Sequence, residues 1–178
     1  AKLSFKNVLQ IDPKHIEARY QLGETASKLG ELQDAVNQYL AIINMDPKHL
    51  MSRLRMGQIY LLVKNVDEAE KMAKAVQAIA PENIDGMVLM ASILATKDNT
   101  EGAFAQVEAA LKKQPDDVSA NLLWASLNAK IGKVDEAISI LQKTSEKNPS
   151  KPAPLLLLAN YYMETKAQDK AQQALEAI

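Results

Sequence analysis

The sequence predicts an all-α fold, a solenoid of antiparallel helix pairs, from three observations. Prolines and alanines recur every 34 residues along the chain. Each period holds two segments with apolar residues at helical spacing, and the composition, 47% apolar but only 4% aromatic, is typical of helix-rich chains. The recurring positions are Pro13, Pro47, Pro81, Pro115 and Pro149, with Ala35, Ala69, Ala103, Ala137 and Ala171. Self-similarity over about 20–50 residues indicates a repeat architecture rather than one central core.

The period 50–83 explains why each repeat is predicted to be a helix pair. Apolar residues from Leu50 onward recur at helical spacing and predict a first helix of about four turns. A polar break at Lys64 predicts a short connection, and Asp67 places a carboxylate in the first turn of a second helix, where the helix dipole favours it. Pro81 ends that helix because proline cannot continue its hydrogen bonds. A short connection makes the two helices antiparallel.

The same period, applied to the whole chain, predicts a partial repeat followed by five repeats. The predicted segments are a second helix of a truncated repeat at 1–15, repeat 1 at 16–49, repeat 2 at 50–83, repeat 3 at 84–117, repeat 4 at 118–151 and a C-terminally incomplete repeat 5 at 152–178. Repeat 3 is the most degenerate and carries Gly102 in its second helix. From this phase we expect the chain to be part of a longer array.

The eighth position of each repeat is always glycine or alanine. Its residues are Gly23, Gly57, Ala91, Ala125 and Ala159. This restriction predicts a place where two helix backbones approach closely. A leucine there is expected to cost about 1–3 kcal/mol through overpacking.

These repeats resemble the tetratricopeptide repeat (TPR) family. Its signature is a large residue, glycine or alanine and an aromatic residue in the first helix, followed by alanine, an aromatic residue and proline in the second. In repeat 1 the matching residues are Leu22-Gly23, Ala35, Tyr39 and Pro47; in repeat 2 they are Met56-Gly57, Tyr60, Ala69 and Pro81. The chain departs from the family at the fourth position, where a tryptophan-like residue is replaced by Arg19, Arg53, Met87, Asn121 and Leu155. The resemblance implies a right-handed superhelix with a concave groove lined by first helices. The alanine-rich style is similar to bacterial arrays, including those of Gram-negative envelopes.

The sequence offers no set of residues typical of an enzyme, so we predict no catalytic residues, no cofactor and no metal. It contains no cysteine, which excludes disulfides, thiolate metal sites and a cysteine nucleophile. The six glycines are spread along the chain and form no phosphate-binding loop. His15 and His49 recur at one repeat position, either as a shared ligand site or as loop residues inherited with the repeat. Two histidines without a third ligand make a poor zinc site.

Charge and hydropathy limit the classes of partner. The formal net charge of −1 provides no basic excess for phosphates, so no nucleic-acid partner is predicted. No apolar run approaches the roughly 20 residues that span a bilayer, so no direct membrane insertion is predicted for this segment. The compartment, cytoplasmic or periplasmic, stays open.

The resemblance implies that the concave groove is the binding site, for a protein or peptide partner. The candidate residues at its fifth and ninth positions are Tyr20, Glu24, Leu54, Gln58, Val88, Ser92, Leu122, Ser126, Leu156 and Asn160. For the leucines an equal alternative is that they pack, half-buried, between neighbouring helices. Known carboxylate-clamp repeats use lysine, asparagine and arginine on the first helices, and here only Arg55 could serve, so no such clamp is predicted.

The leading hypothesis is therefore a non-enzymatic scaffold for protein–protein interaction. One alternative is a structural or assembly module of a larger envelope or exopolysaccharide-export protein. Another is an RNA-binding helical repeat, against which the near-neutral charge argues. The chain is expected to be a monomer or to associate end to end through uncapped helices.

Overall fold

The structure, a computed structural model, describes residues 2–178, and within that range it contains eleven α-helices and no β-strand. The helices are α1 Lys2–Ile11, α2 Ile16–Lys28, α3 Leu32–Met45, α4 Leu50–Leu62, α5 Val66–Ile79, α6 Ile84–Thr96, α7 Thr100–Lys113, α8 Val118–Lys130, α9 Val134–Lys147, α10 Ala153–Glu164 and α11 Gln168–Glu176. The first helices of the five pairs are therefore α2, α4, α6, α8 and α10.

The chain divides into two compact units, Ala1–Leu89 and Met90–Ile178, called here the N-terminal and C-terminal units. In the N-terminal unit α2 packs on α3 and α4 on α5, while α1 contacts α2 and α3 contacts α4. In the C-terminal unit α8 packs on α9 and α10 on α11, while α7 contacts α8 and α9 contacts α10. The helices α1, α3, α7 and α9 thus each contact the first helix of the following pair.

The recurring histidines are N-caps of the first helices. The Ala18 backbone N–H donates to His15 Nδ1 at 3.1 Å, and that of Ser52 donates to His49 Nδ1 at 3.2 Å. At the same repeat position, side-chain oxygens of Asn83 and Asp117 accept the equivalent bonds. A cap acceptor satisfies one of the backbone donors that a helix N-terminus leaves unpaired, so these side chains have a structural role.

The turn within each pair places one residue in the left-handed backbone region. These residues are Gly30 (φ 76°), Lys64 (φ 61°), Asp98 (φ 56°), Gly132 (φ 85°) and Lys166 (φ 61°). The next residue then donates back into the helix, as the Asn65 N–H does to the Tyr60 carbonyl at 2.8 Å. This bond satisfies a carbonyl at the helix end. Two repeats use glycine for the turn, and three hold a side chain in a conformation that glycine adopts more easily.

The eighth position is closely packed, and side chains make the nearest contacts at its two glycines. A Cβ added to Gly23 would lie 2.7 Å from Tyr39 Cε1, and one added to Gly57 would lie 2.6 Å from Leu89 Cδ2. At Gly57 the added Cβ would also lie 3.2 Å from Met72 Cβ, the side-chain atom next to the α5 backbone. Glycine is required at Gly23 because the buried Tyr39 ring occupies the space beside it.

The fourth position joins each inter-repeat loop to the helix that follows it. Side-chain nitrogens there donate to the carbonyl of the loop proline, in the pairs Arg19 with Pro13, Arg53 with Pro47 and Asn121 with Pro115. A proline carbonyl just beyond a helix would otherwise depend on water for a partner. At these three positions, hydrogen bonds to the loop therefore take the place of the packing that the family's tryptophan-like residue would provide.

Candidate functional site

In the N-terminal unit, polar side chains of α2 and α4 meet in one hydrogen-bonded group. Glu24 Oε1 accepts from the Tyr39 hydroxyl at 2.6 Å and from Arg55 Nε at 2.9 Å. Arg55 Nη1 donates to Gln58 Oε1 at 3.0 Å. The Tyr20 ring lies 5.8 Å from the Tyr39 ring, centroid to centroid. These five residues, Tyr20, Glu24, Tyr39, Arg55 and Gln58, are called here the Glu24 cluster.

The local fold explains why Glu24 holds one orientation. Tyr39 is on α3 and is fully buried, and its ring lies beside Gly23, one residue before Glu24. Its hydroxyl therefore reaches the Glu24 carboxylate from the core side, while Arg55 approaches from α4. A carboxylate held by two donors, one of them charged, is strongly restrained.

Electrostatics keep the tyrosines of the cluster protonated. Burial, and then the hydrogen bond to Glu24, raise the pKa of the Tyr39 phenol far above its usual value. Burial also raises the pKa of the Tyr20 phenol, while the nearby Arg55 acts in the opposite direction. Desolvation disfavours the charged phenolate, which is the physical cause in both residues. Tyr39 therefore remains a hydrogen-bond donor to Glu24.

A pocket of about 270 Å³ opens beside the cluster, between α2 and α4. It is lined by Glu24, Ser27, Lys28, Arg55, Gln58, Ile59 and Leu62. The Arg55 side chain is 37% exposed, and a guanidinium has five N–H donors, so donors remain beyond those directed at Glu24, Gln58 and Tyr20. Leu62, 69% exposed, adds an apolar surface at the edge. The pocket can thus accept hydrogen-bond acceptors next to an apolar group.

The C-terminal unit presents a less polar surface on its first helices. Leu122 is half-buried and packs against the core that contains Leu141 and Leu158. The Ser126 hydroxyl donates to the Leu122 carbonyl at 2.9 Å, so its proton is used within α8. On α10, Leu156 is 47% exposed and Asn160 is also exposed. Those two side chains are the accessible ones of the four.

The ten site residues predicted from the sequence differ in how exposed their side chains are. Tyr20, Glu24 and Gln58 are brought together in the Glu24 cluster. Leu54 is only 1% exposed and belongs to the core, the packing alternative that was kept for the leucines. The prediction that Leu54 lines the groove is therefore corrected: its side chain lies in the core. The half-buried residues are Val88, Ser92, Leu122 and Ser126, and the exposed ones are Leu156 and Asn160.

Two members of the cluster were not predicted as site residues. Arg55 was considered only as an isolated cation, and Tyr39 only as a match to the family signature. The signal that could have found them is the pairing of Glu24 and Arg55, opposite charges on consecutive first helices.

Neither a metal site nor a membrane span is found in the described part of the chain. Among residues 2–178, histidine, aspartate and glutamate side chains do not gather in a group of three that could hold a metal ion. Over the same range, every helix is too short or too polar to cross a membrane.

Repeated helix pairs, with a polar face on their first helices, define a helical-repeat protein. Family models for the tetratricopeptide repeat match residues 1–55 and 129–178, and residues 88–152. The chain belongs to the tetratricopeptide repeat family, which confirms the recognition made from the sequence. Among curated protein sequences no match is found.

Solved structures confirm the fold class. TTC0263, a TPR protein of Thermus thermophilus, is 19% identical with a TM-score of 0.82, covering 91% of this chain and 91% of its own. A TPR protein from Parabacteroides merdae is 16% identical with a TM-score of 0.87, covering 98% and 68%. YrrB, described as a TPR protein with an unusual peptide-binding site, is 19% identical with a TM-score of 0.64, covering 99% and 91%.

Family membership carries a general functional conclusion. Tetratricopeptide repeats form an interaction fold that is generally non-catalytic and that binds proteins or peptides.

Proposed function

We propose that the chain is a non-enzymatic scaffold that binds a segment of a partner protein on the face formed by its first helices. The observation that carries the proposal is the Glu24 cluster. It combines half-exposed polar side chains, a neighbouring pocket and a buried tyrosine that fixes their geometry. Tyr20, Glu24 and Gln58 are its binding residues from the predicted set, and Arg55 joins them.

The proposed mechanism is preorganisation. Long side chains normally lose rotamer freedom when a partner immobilises them, at about 0.5–1.5 kcal/mol each. Arg55 is already restrained by Glu24 and Gln58, and Glu24 by Tyr39. Much of the ordering cost is therefore met during folding, before a partner arrives.

The expected ligand is a peptide segment with a hydrogen-bond acceptor next to an apolar side chain. The acceptor, a backbone carbonyl or a side-chain oxygen, would take the remaining Arg55 donors. The apolar side chain would contact Leu62 at the edge of the pocket. Extended and helical segments both offer this combination.

The C-terminal unit would contribute a second, less polar contact surface. Its accessible candidates are Leu156 and Asn160 on α10. Its half-buried candidates, Ser92 on α6 with Leu122 and Ser126 on α8, would have smaller contacts with a partner, as would Val88 of the N-terminal unit. Leu54 is excluded from the proposed surface by its burial.

The test selects ligands without assuming a partner. The full chain is immobilised and used to enrich a random-peptide phage library, and enriched peptides are measured by fluorescence anisotropy. Arg55→Glu is expected to weaken their binding about tenfold or more, because a hydrogen bond to a charged group contributes about 1.5–3 kcal/mol.

Lys71→Glu is the matched control, with the same change of charge on α5, outside the cluster. It should leave peptide binding unchanged, and circular dichroism should show equal helicity in both variants. Peptides that bind the Arg55→Glu variant as tightly as the unsubstituted chain would contradict the proposal, as would a library that yields no enriched peptide.

A further inference from the structure

The arginines at the fourth position of repeats 1 and 2 show how this chain binds a guanidinium group. In repeat 1, Arg19 Nε and Nη2 both donate to the Pro13 carbonyl, at 3.0 and 2.7 Å, and Nη1 donates to Gln38 Oε1 at 3.2 Å. In repeat 2, Arg53 Nε and Nη2 donate to the Pro47 carbonyl at 3.3 and 2.6 Å. Each guanidinium thus lies against the loop that precedes its own first helix.

Repeat 4 has a shorter side chain at this position, and a pocket is found there. Asn121 Nδ2 donates to the Pro115 carbonyl at 2.8 Å. A pocket of about 230 Å³ lies beside it, with Pro115, Asn121, Ile140 and Thr144 among its lining residues. The pocket therefore occupies the place that an arginine side chain of the chain itself occupies in repeats 1 and 2.

We propose that this pocket binds an arginine side chain of a partner protein. A carbonyl oxygen has two lone pairs, and Pro13 and Pro47 each accept two N–H groups from one guanidinium. The Pro115 carbonyl accepts one side-chain N–H, from Asn121. A second acceptor position is thus open to a guanidinium that enters the pocket.

The apolar wall also fits an arginine stem. Ile140 lines the pocket at the repeat position that Met72 holds in repeat 2, where Arg53 binds its proline carbonyl without a polar partner at that position. Arginine covers apolar surface with its methylene groups while its charged end makes polar contacts. The apolar Ile140 side chain can therefore pack against the methylene groups of a bound arginine.

The charged residues that line the pocket balance one another, so the arrangement of its acceptors, and not net charge, would favour a guanidinium over a smaller cation. Asp116 and Glu146 bring carboxylates, and Lys143 and Lys147 bring ammonium groups. Lys147 Nζ lies 2.5 Å from Asp116 Oδ1, so these two charges largely compensate each other. Glu146 is exposed and can accept from a guanidinium, whereas Lys143 opposes any cation. The planar donor array of arginine can use Pro115 and Glu146 together, which a compact lysine ammonium does less well.

This site is separate from the proposed function. It lies in the C-terminal unit, on α8, α9 and the loop before α8, and it uses no residue of the Glu24 cluster. Failure of one proposal therefore leaves the other untouched.

The experiment is an NMR titration of the full, ¹⁵N-labelled chain with the blocked tripeptide acetyl-Gly-Arg-Gly-amide. Saturable shifts are expected for the side-chain amides of Asn121 and Asn148 and the backbone amide of Thr144, with a dissociation constant on the order of 1 mM. The corresponding lysine tripeptide should bind about tenfold more weakly. No saturable shift, or equal binding of the lysine tripeptide, would overturn the proposal.

Two variants test the pocket itself. Asn121→Arg should fill it with the chain's own guanidinium, abolish tripeptide binding and raise the unfolding temperature, while Asn44→Arg, on an exposed face of α3, should leave binding intact. Glu146→Gln, at an exposed position, should weaken binding severalfold without changing the fold. Unchanged tripeptide binding in both pocket variants would show that the arginine lies elsewhere.

Discussion

At the scale of single residues, the packing beside Gly23 limits the size of the side chain that this position can hold. A methyl group at this position would lie 2.7 Å from Tyr39 Cε1, and the Tyr39 ring is fully buried and held by Glu24. The ring has little freedom to move away. Gly23→Ala should therefore lower the free energy of unfolding by about 1–3 kcal/mol, measured by urea denaturation followed by circular dichroism.

A double-mutant cycle provides the control. Repeat 4 combines Ala125 with Leu141 at the two equivalent positions, so alanine is compatible with a smaller neighbour. The double variant Gly23→Ala/Tyr39→Leu should be more stable than the sum of the single effects predicts. Strictly additive effects would mean that the ring is not the cause of the cost.

The candidate site was only partly predictable from residues in the sequence. The 34-residue period correctly put Glu24 and Gln58 on neighbouring first helices. It could not show that Tyr39 and Arg55 share one Glu24 oxygen, because a repeat period fixes helix faces but not rotamers. The period also could not decide whether Leu54 faces the groove or the core, because the fifth repeat position lies at the border between the two.

At the scale of secondary-structure elements, the turn within each helix pair can be improved. Lys64 is exposed and adopts φ 61°, a conformation that costs a non-glycine residue about 1 kcal/mol or more. Lys64→Gly should therefore raise the free energy of unfolding by about 1 kcal/mol, measured as a higher urea midpoint at an unchanged slope.

The reverse substitution is the natural comparison. Gly132 holds the same repeat position at φ 85°, and a Cβ there would have no heavy atom within 4 Å. Gly132→Ala should thus lose stability through backbone strain alone. If Lys64→Gly were destabilising, flexibility gained in the unfolded chain would outweigh relief of that strain.

The end of the second helix was predicted from its proline, for a local physical reason. The second helices end at Met45, Ile79, Lys113 and Lys147, each two residues before a periodic proline. Proline acts through its own ring and its missing N–H, so sequence alone suffices. The turn conformation was not predicted, because lysine and aspartate at three of the five turns give no signal for a left-handed residue.

At the scale of the whole molecule, the buried phenol of Tyr39 makes stability sensitive to alkaline pH. Its pKa is raised in the folded protein by burial and by Glu24, relative to about 10 in the unfolded chain. Above that pH the folded state therefore retains a proton that the unfolded state releases. The contribution of Tyr39 to the free energy of unfolding is complete below about pH 10 and is lost as the pH rises further. The stability of the folded protein should therefore fall at high pH.

The measurement is the free energy of urea unfolding from about pH 8 to about pH 11 for the unsubstituted chain and Tyr39→Phe. The variant should be less stable at neutral pH but should show a shallower decline at high pH. Because lysines titrate in the same range in both proteins, the difference in slope isolates Tyr39. Parallel pH profiles would rule out its contribution.

The contact between Phe104 and Trp124 has a practical consequence for every such experiment. Their rings meet edge to face, 5.0 Å apart, where α7 packs on α8. Trp124 is the single tryptophan of the chain, and it lies in the C-terminal unit, whereas Tyr20 and Tyr39 lie in the N-terminal unit. Indole emission therefore reports the loosening of the C-terminal unit alone, whereas phenolate absorbance at high pH reports both units, because Tyr161 and Tyr162 also lie in the C-terminal unit. The chain's own tryptophan can thus follow the C-terminal unit by itself, without an added label.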